Sequence, residues 1–154
     1  MSNIIWHFKS FEDLTLHELY EILQVRNEVF IVEQNCPYQD LDGDDEKALH
    51  FWASDQDGIL AYTRLFQPGI KYKDASIGRV LTTKRSRGRK LGRMLMTFSL
   101  MIIDNRFSSP SVRISAQQYL FDFYTSLGFN AQGEPYLEDD IPHVEMLLLG
   151  KGTK

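Results

Sequence analysis

The sequence predicts an α/β domain, α+β mixed in order, in which one sheet carries helices on its faces. Three observations carry that reading. Strand-like runs follow one another in the first half of the chain, and strands alternate with helices in the second, a combination that describes a mixed sheet. The 154 residues suit one domain, taken as 1–154, and no Pro/Gly/Ser-rich linker divides it. Hydrophobic residues make up 43% of the chain, enough for a sizeable core in a domain that buries roughly 68–70% of its unfolded surface.

The elements follow in order. Ile4–Phe8 is a short apolar run and the first predicted strand. Thr15 with Glu18 three residues later has the form of a capping box. Leu16, Leu19, Tyr20 and Leu23 repeat at helical spacing with Phe30 beyond, predicting a helix from about Leu16 toward Phe30. Residues 33–47 (EQNCPYQDLDGDDEK) read as a loop. His50–Ser54 and Leu60–Phe66 are two strands joined through the turn dipeptide Asp57-Gly58. Ser76–Thr83 is a further strand, rich in β-branched residues. Leu91, Met94, Leu95, Phe98 and Ile102 mark one face of a helix, and Val112–Ala116 is a short strand. Leu120, Phe123, Tyr124 and Leu127 form another helical stripe, stopped by Gly128, and Val144–Leu149 is the last strand.

Composition narrows the function. The formal net charge of −4 argues against general nucleic-acid binding. No apolar run approaches the ~20 residues of a membrane span, and the first ten residues lack the pattern of a signal peptide. Cys36 is the only cysteine, so no internal disulfide forms, and a reducing, cytoplasmic setting is expected.

Against that acidic background, Arg85–Met96 (RSRGRKLGRMLM) gathers five basic residues around two glycines where a helix begins. The first N–H groups of a helix lack intrahelical partners and the helix dipole makes that end partly positive, so a strand–glycine turn–helix unit binds anions. Gly88 permits positive φ and a close backbone approach, and Arg85, Arg87, Arg89, Lys90 and Arg93 supply charge-assisted bonds. Neither the P-loop nor the dinucleotide-binding pattern is present. A solvated basic turn is the alternative.

These residues resemble a known family. Arg85-Ser86-Arg87-Gly88-Arg89-Lys90-Leu91-Gly92 looks like the acyl-CoA pyrophosphate loop of the GNAT N-acetyltransferases, Q/R-x-x-G-x-G/A, with Lys90 departing at the sixth position. Gln117–Phe129 (QQYLFDFYTSLGF) resembles that family's N-x-x-A-x-x-F/Y-Y-x-x-x-G-F, with Gln117 and Leu120 in place of Asn and Ala. Val29–Asp45 and Asp140–Met146 are similar to the ElaA-like branch. The resemblance implies a mixed sheet of six to seven strands with about four helices, splayed between the fourth strand, Ser76–Thr83, and the fifth, Val112–Ala116. It implies that Val80, Leu81 and Thr82 hold the pantetheine arm of acetyl-CoA, that amides over Arg87, Gly88, Arg89, Lys90, Leu91, Gly92 and Arg93 hold the pyrophosphate, and that Gln117 belongs to the same site. It implies acetyl-CoA and an amine acceptor as partners, with a homodimer as the candidate assembly and no metal, nucleic acid or membrane.

Acyl transfer needs a neutral amine, and a lysine-like amine has a pKa of about 10.4, so a base or a water relay must take its proton. The carbonyl oxygen needs a fixed donor, for which a strand-edge N–H near Leu81 is the expectation. By resemblance Tyr124 protonates the leaving thiolate; by spacing alone it is a core aromatic. Glu33 and Glu145 lead the candidates for the base, with His50 and His143 behind them. The acidic run Asp40–Glu46 lacks EF-hand spacing and reads as a solvated loop or, with Glu138, Asp139 and Asp140, as an attractor of a cationic amine. Cys36 reads as structural, and Cys36, His50 and His143 are too scattered for zinc. A non-catalytic acyl-CoA sensor is the competing function, and an unrelated nucleotide-phosphate binder a third.

Overall fold

A computed structural model describes residues 3–108 and 111–150. Seven strands form one mixed sheet in the order β1-β2-β3-β4-β5-β7-β6. They are β1 (Ile5–Ser10), β2 (Leu49–Asp55), β3 (Gly58–Phe66), β4 (Ala75–Thr82), β5 (Ser111–Gln117), β6 (Asn130–Glu138) and β7 (Ile141–Leu149). Among the described residues three α-helices accompany them: α1 (Leu16–Arg26), α2 (Leu91–Phe107) and α3 (Phe121–Ser126). The capping box of α1 is formed, with Thr15 Oγ1 accepting from the Glu18 amide (3.1 Å) and Glu18 Oε1 accepting from the Thr15 amide (2.9 Å). Beyond Arg26 the chain loosens into a π-helical segment, Asn27–Glu33, so the helix expected to run toward Phe30 changes its winding there instead of ending.

The central strands of the sheet are buried on both faces. Alternate residues of β2 and β3 divide between them: Phe51, Ala53 and Ala61 pack with Leu91, Leu95 and Ile103 of α2, and Trp52, Ile59 and Tyr62 pack with Ile22 and Val25 of α1 and with Val29 and Phe30 of the π-helical segment. Strand β3 is buried from Ile59 to Phe66, as befits a strand covered on both sides. Among the described residues no helix is long and apolar enough to cross a membrane.

Strand β6 was not expected from the sequence. Among the described residues it pairs only with β7, every residue in it is exposed, and Gly133 and Pro135 interrupt any alternation, so it carries no hydrophobic signal. Its two-residue connection to β7, Asp139-Asp140, has φ of 51° and 62°, the backbone of a type I′ hairpin.

Candidate active site

Strands β4 and β5 run parallel but pair only at Ala75–Val112 and Ser76–Arg113. Beyond those pairs they part, and a cleft of about 850 Å³ opens between them. The register of β4 against β3 also shifts by one residue opposite Thr63, where Arg79 has φ 52° and the Gly78 carbonyl accepts from Thr63 Oγ1 (2.7 Å). Such a bulge re-aims the strand beyond it. The Thr83 amide donates to the Leu60 carbonyl (2.9 Å). By antiparallel alternation the Leu81 amide is then turned toward β3, and the backbone of Thr82, with Val80 before it, toward the gap. The Thr82 carbonyl accordingly accepts from Arg87 Nη2 on the open side (3.1 Å). The donor expected near Leu81 is therefore better supplied by its two neighbours.

The basic turn closes one end of the cleft. Gly88 has φ 84°, and no atom lies within 4 Å of the place a Cβ would occupy. Lys90 is also left-handed, at φ 62°, and caps α2 without a side-chain bond. The first α-helical bond joins the Met94 amide to the Lys90 carbonyl (3.2 Å), so the amides before it border the cleft without that partner. Of the predicted cofactor residues, Val80, Leu81, Thr82, Arg87, Gly88, Lys90, Leu91, Gly92, Arg93 and Gln117 line the cleft; Arg89 does not. Arg85 is otherwise engaged: it grips Asp55 through two bonds (2.7 and 2.9 Å) and the Gly58 carbonyl (2.9 Å). It anchors the turn to the β2–β3 hairpin instead of serving an anion. Arg93 donates to Ser126 Oγ (2.6 Å) and lies over the Phe123 ring, and Arg87 pairs with Glu33 (2.8 Å). Arg89 and Lys90 have no ion-pair partner among the described residues.

Tyr124 is 5% exposed and lines the cleft from α3. Its ring packs edge-on against Phe123 and Phe129, and its hydroxyl makes no hydrogen bond to a described residue. Burial pushes that hydroxyl well above the ordinary tyrosine value, so it keeps its proton.

The candidate bases separate by position. Glu33 lines the cleft but both its oxygens are held by Arg87 (2.8 and 3.2 Å). Glu145 lies outside the cleft lining and is bound to Arg113 (2.6 Å). His50 is fully buried away from the cleft, with Nδ1 on the Tyr62 hydroxyl (2.7 Å) and Nε2 on the Asp45 carbonyl (2.9 Å), and burial lowers its pKa. His143 lines the cleft, nine-tenths buried, with Nδ1 2.7 Å from the Ile141 carbonyl and Nε2 3.3 Å from Glu138.

The acidic loop is only partly solvated: Asp42 and Glu46 are exposed, whereas Asp40 and Asp45 are buried, and arginines engage three of its carboxylates. Asp40 and Asp45 bind the buried Arg26 (3.0 and 2.6 Å), Asp45 and Asp42 bind the buried Arg64, and Asp40 also binds Arg79 (2.7 Å). What faces the cleft instead is the β6–β7 hairpin, through Glu138 and Asp139, with Cys36 donating from Sγ to the Asp139 carbonyl (3.2 Å). Sequence periodicity missed this hairpin because β6 has none; the signal present was the Asp139-Asp140 pair ahead of an apolar run. The cleft is thus basic at one end and acidic at the other. Among the described residues no set of His, Cys, Asp or Glu is arranged to hold a metal ion.

The profile of the acetyltransferase (GNAT) domain matches residues 16–149. Protein ElaA of Escherichia coli is 38% identical over 147 residues, covering 93% of this chain and 95% of that one. Its crystal structure is similar at a TM-score of 0.88, covering 95% of this chain and 99% of that chain. The crystal structure of an acyl-CoA N-acyltransferase from Pseudomonas aeruginosa is 42% identical with a TM-score of 0.89, again over 95% of this chain and 99% of that chain. A split sheet with a basic glycine turn at its mouth, matched to that profile and to those relatives along most of its length, places the chain in the GNAT acetyltransferase family, in its ElaA-like branch.

Proposed function

We propose that the protein transfers the acetyl group of acetyl-CoA directly to a primary amine. The observation that carries this is one cleft holding two unlike features: an anion-ready turn at Gly88 and, on Tyr124, a hydroxyl without a hydrogen-bond partner among the described residues. The residues present fit an acyl-CoA. Amides from Arg87 to Arg93, with Lys90, would hold the pyrophosphate, and Arg89 at the rim adds charge. The opened edge of β4 at Val80 and Thr82 would hold the pantetheine amides, with Leu81 packed behind them and Gln117 across the gap. Acetyl-CoA supplies the activated acyl group. Tyr124 holds a proton where a thiolate would leave, and the Val80 or Thr82 amide stands ready for the carbonyl oxygen.

The acidic end, Glu138 and Asp139, favours an acceptor that arrives as an ammonium ion, either a small amine or an amine of a peptide or protein. The single, buried Cys36 supports a cytoplasmic setting, and the proposed enzyme works without metal, alone or as a homodimer.

The test is release of CoA thiol from acetyl-CoA in the presence of a panel of primary amines. Amine-dependent release is expected. Saturable acetyl-CoA binding without release for any amine would favour a non-catalytic sensor, and binding of ATP but not CoA would favour a nucleotide-phosphate binder.

A further inference from the structure

We propose that His143, with Glu138 beside it, is the general base that deprotonates the acceptor amine. The assignment rests on the acyl-transfer reading above and deepens it. The Ile141 carbonyl can only accept, so His143 Nδ1 donates to it (2.7 Å) and the neutral ring carries its lone pair on Nε2. Nε2 lies 3.3 Å from Glu138 Oε2, and the Glu138 side chain is 52% exposed whereas that of His143 is 8% exposed. A buried acceptor of protons is thereby joined to a carboxylate that reaches solvent. Strand register holds the ring in place, since His143 pairs with Gln117 of β5 on one side and Tyr136 of β6 on the other, and the Tyr136 ring stacks on it. Glu33 and Glu145 are each committed to an arginine, and both nitrogens of His50 are taken in the core.

An ammonium entering the acidic end donates to Nε2 with the Glu138 carboxylate beside it. Nε2 takes one proton, and the freed lone pair forms the N–C bond at the acyl carbon. The C–S bond breaks with its electron pair on sulfur, Tyr124 protonates that sulfur, and the second proton shed by nitrogen restores the Tyr124 hydroxyl. The proton on His143 leaves along Glu138 to water, so one amide, one thiol and one proton result.

Of the titratable groups, Glu138 and Tyr136 of β6 lie against His143, Asp139 and the Cys36 bonded to it lie at the hairpin, and Glu33 and Tyr124 line the same cleft. The probes are acetyl-CoA with spermidine, Nα-acetyl-lysine amide and a peptide with a free N-terminus. In His143→Gln, kcat should fall roughly 10²–10⁴-fold with acetyl-CoA affinity unchanged. In Glu138→Gln, where folding is not at issue because the side chain is half exposed, kcat should fall while acetyl-CoA affinity and the melting temperature stay at the wild-type level, because the path by which the proton leaves His143 is cut. A purely structural His143 would move the melting temperature and leave Glu138→Gln with the wild-type kcat. Wild-type thiol release with an undiminished kcat in a folded His143→Gln, or with an undiminished kcat in Glu138→Gln, overturns the assignment and leaves acyl transfer standing. No release by the wild type with any of the three amines fails acyl transfer, and this assignment with it.

Discussion

Tyr124 is a largely buried side chain that lines the cleft, and its hydroxyl makes no hydrogen bond to a described residue. Its neighbours explain why spacing alone reads it as core: Phe123 and Phe129 pack against the ring, so the side chain is both core and cleft wall. Tyr124→Phe removes one oxygen and keeps that packing. If the hydroxyl protonates the leaving thiolate, kcat should drop roughly 10²–10⁴-fold while acetyl-CoA affinity, measured by calorimetry, stays at the wild-type level. A folded Tyr124→Phe protein with full turnover, under conditions where chemistry limits the rate, would reject the acid role. His50 shows the converse. As a residue type it is a candidate base, yet its place opposite Arg64 in the β2–β3 register puts it beneath the sheet face, satisfied by Tyr62 and Asp45. Sequence cannot separate His50 from His143, because each lies on a strand and only the splay decides which strand borders open space.

At the scale of elements, the legible parts are those whose signal is local. The capping box at Thr15, the Asp57-Gly58 hairpin and the glycine turn ahead of α2 each depend on residues within a few positions of one another, and each is formed. Strand β6 depends instead on β7 for its pairing and buries nothing of its own, so no period marks it. The π-helical winding of Asn27–Glu33 is likewise set by packing, with Val29 and Phe30 turned into the core beneath the cleft. The glycine turn yields a direct test. Gly88 sits at φ 84°, a backbone that a β-branched residue resists, although the space around it is open. Gly88→Val should therefore leave the core intact, force the turn onto another path and abolish measurable acetyl-CoA binding. Wild-type affinity in folded Gly88→Val would remove the turn from the cofactor site. Lys90 occupies a similar left-handed position with a side chain present, so the departure from Gly or Ala at this position costs conformational strain and adds a cation beside the cleft.

Across the whole molecule, the acidic loop acts as a clasp between layers. Arg26 comes from α1, Arg64 from β3 and Arg79 from the bulge of β4, and Asp40, Asp42 and Asp45 join all three. The run Asp40–Glu46 looks solvated in the sequence because the arginines that pair with Asp40, Asp42 and Asp45 lie 14 to 39 positions away, visible only once the sheet has brought them together. Through Arg79 the clasp reaches the bulge that turns β4 toward the cleft, so stability and site geometry share these contacts. Burial by itself would raise the Asp42 pKa, but the bonds from Arg64 and the Asp44 amide hold it far below the usual carboxylate value of 3.8. A folded-state pKa below the unfolded one contributes stability that is present above about pH 4 and is lost as pH falls toward the folded pKa. Arg64→Met removes the cation and keeps most of the apolar stem. It leaves Asp42 and Asp45 short of a partner in a place where Arg64 is 2% exposed, and breaking a buried pair this way costs roughly 3–5 kcal/mol at neutral pH. The same variant should lose part of the acid dependence, because Asp42 then titrates nearer its ordinary value in both states. Denaturant unfolding of wild type and Arg64→Met from pH 7 to pH 3 checks both statements together. The two stability curves should lie far apart at pH 7 and approach each other below pH 4; parallel curves would show that the Asp42–Arg64 contact contributes nothing that protonation can remove.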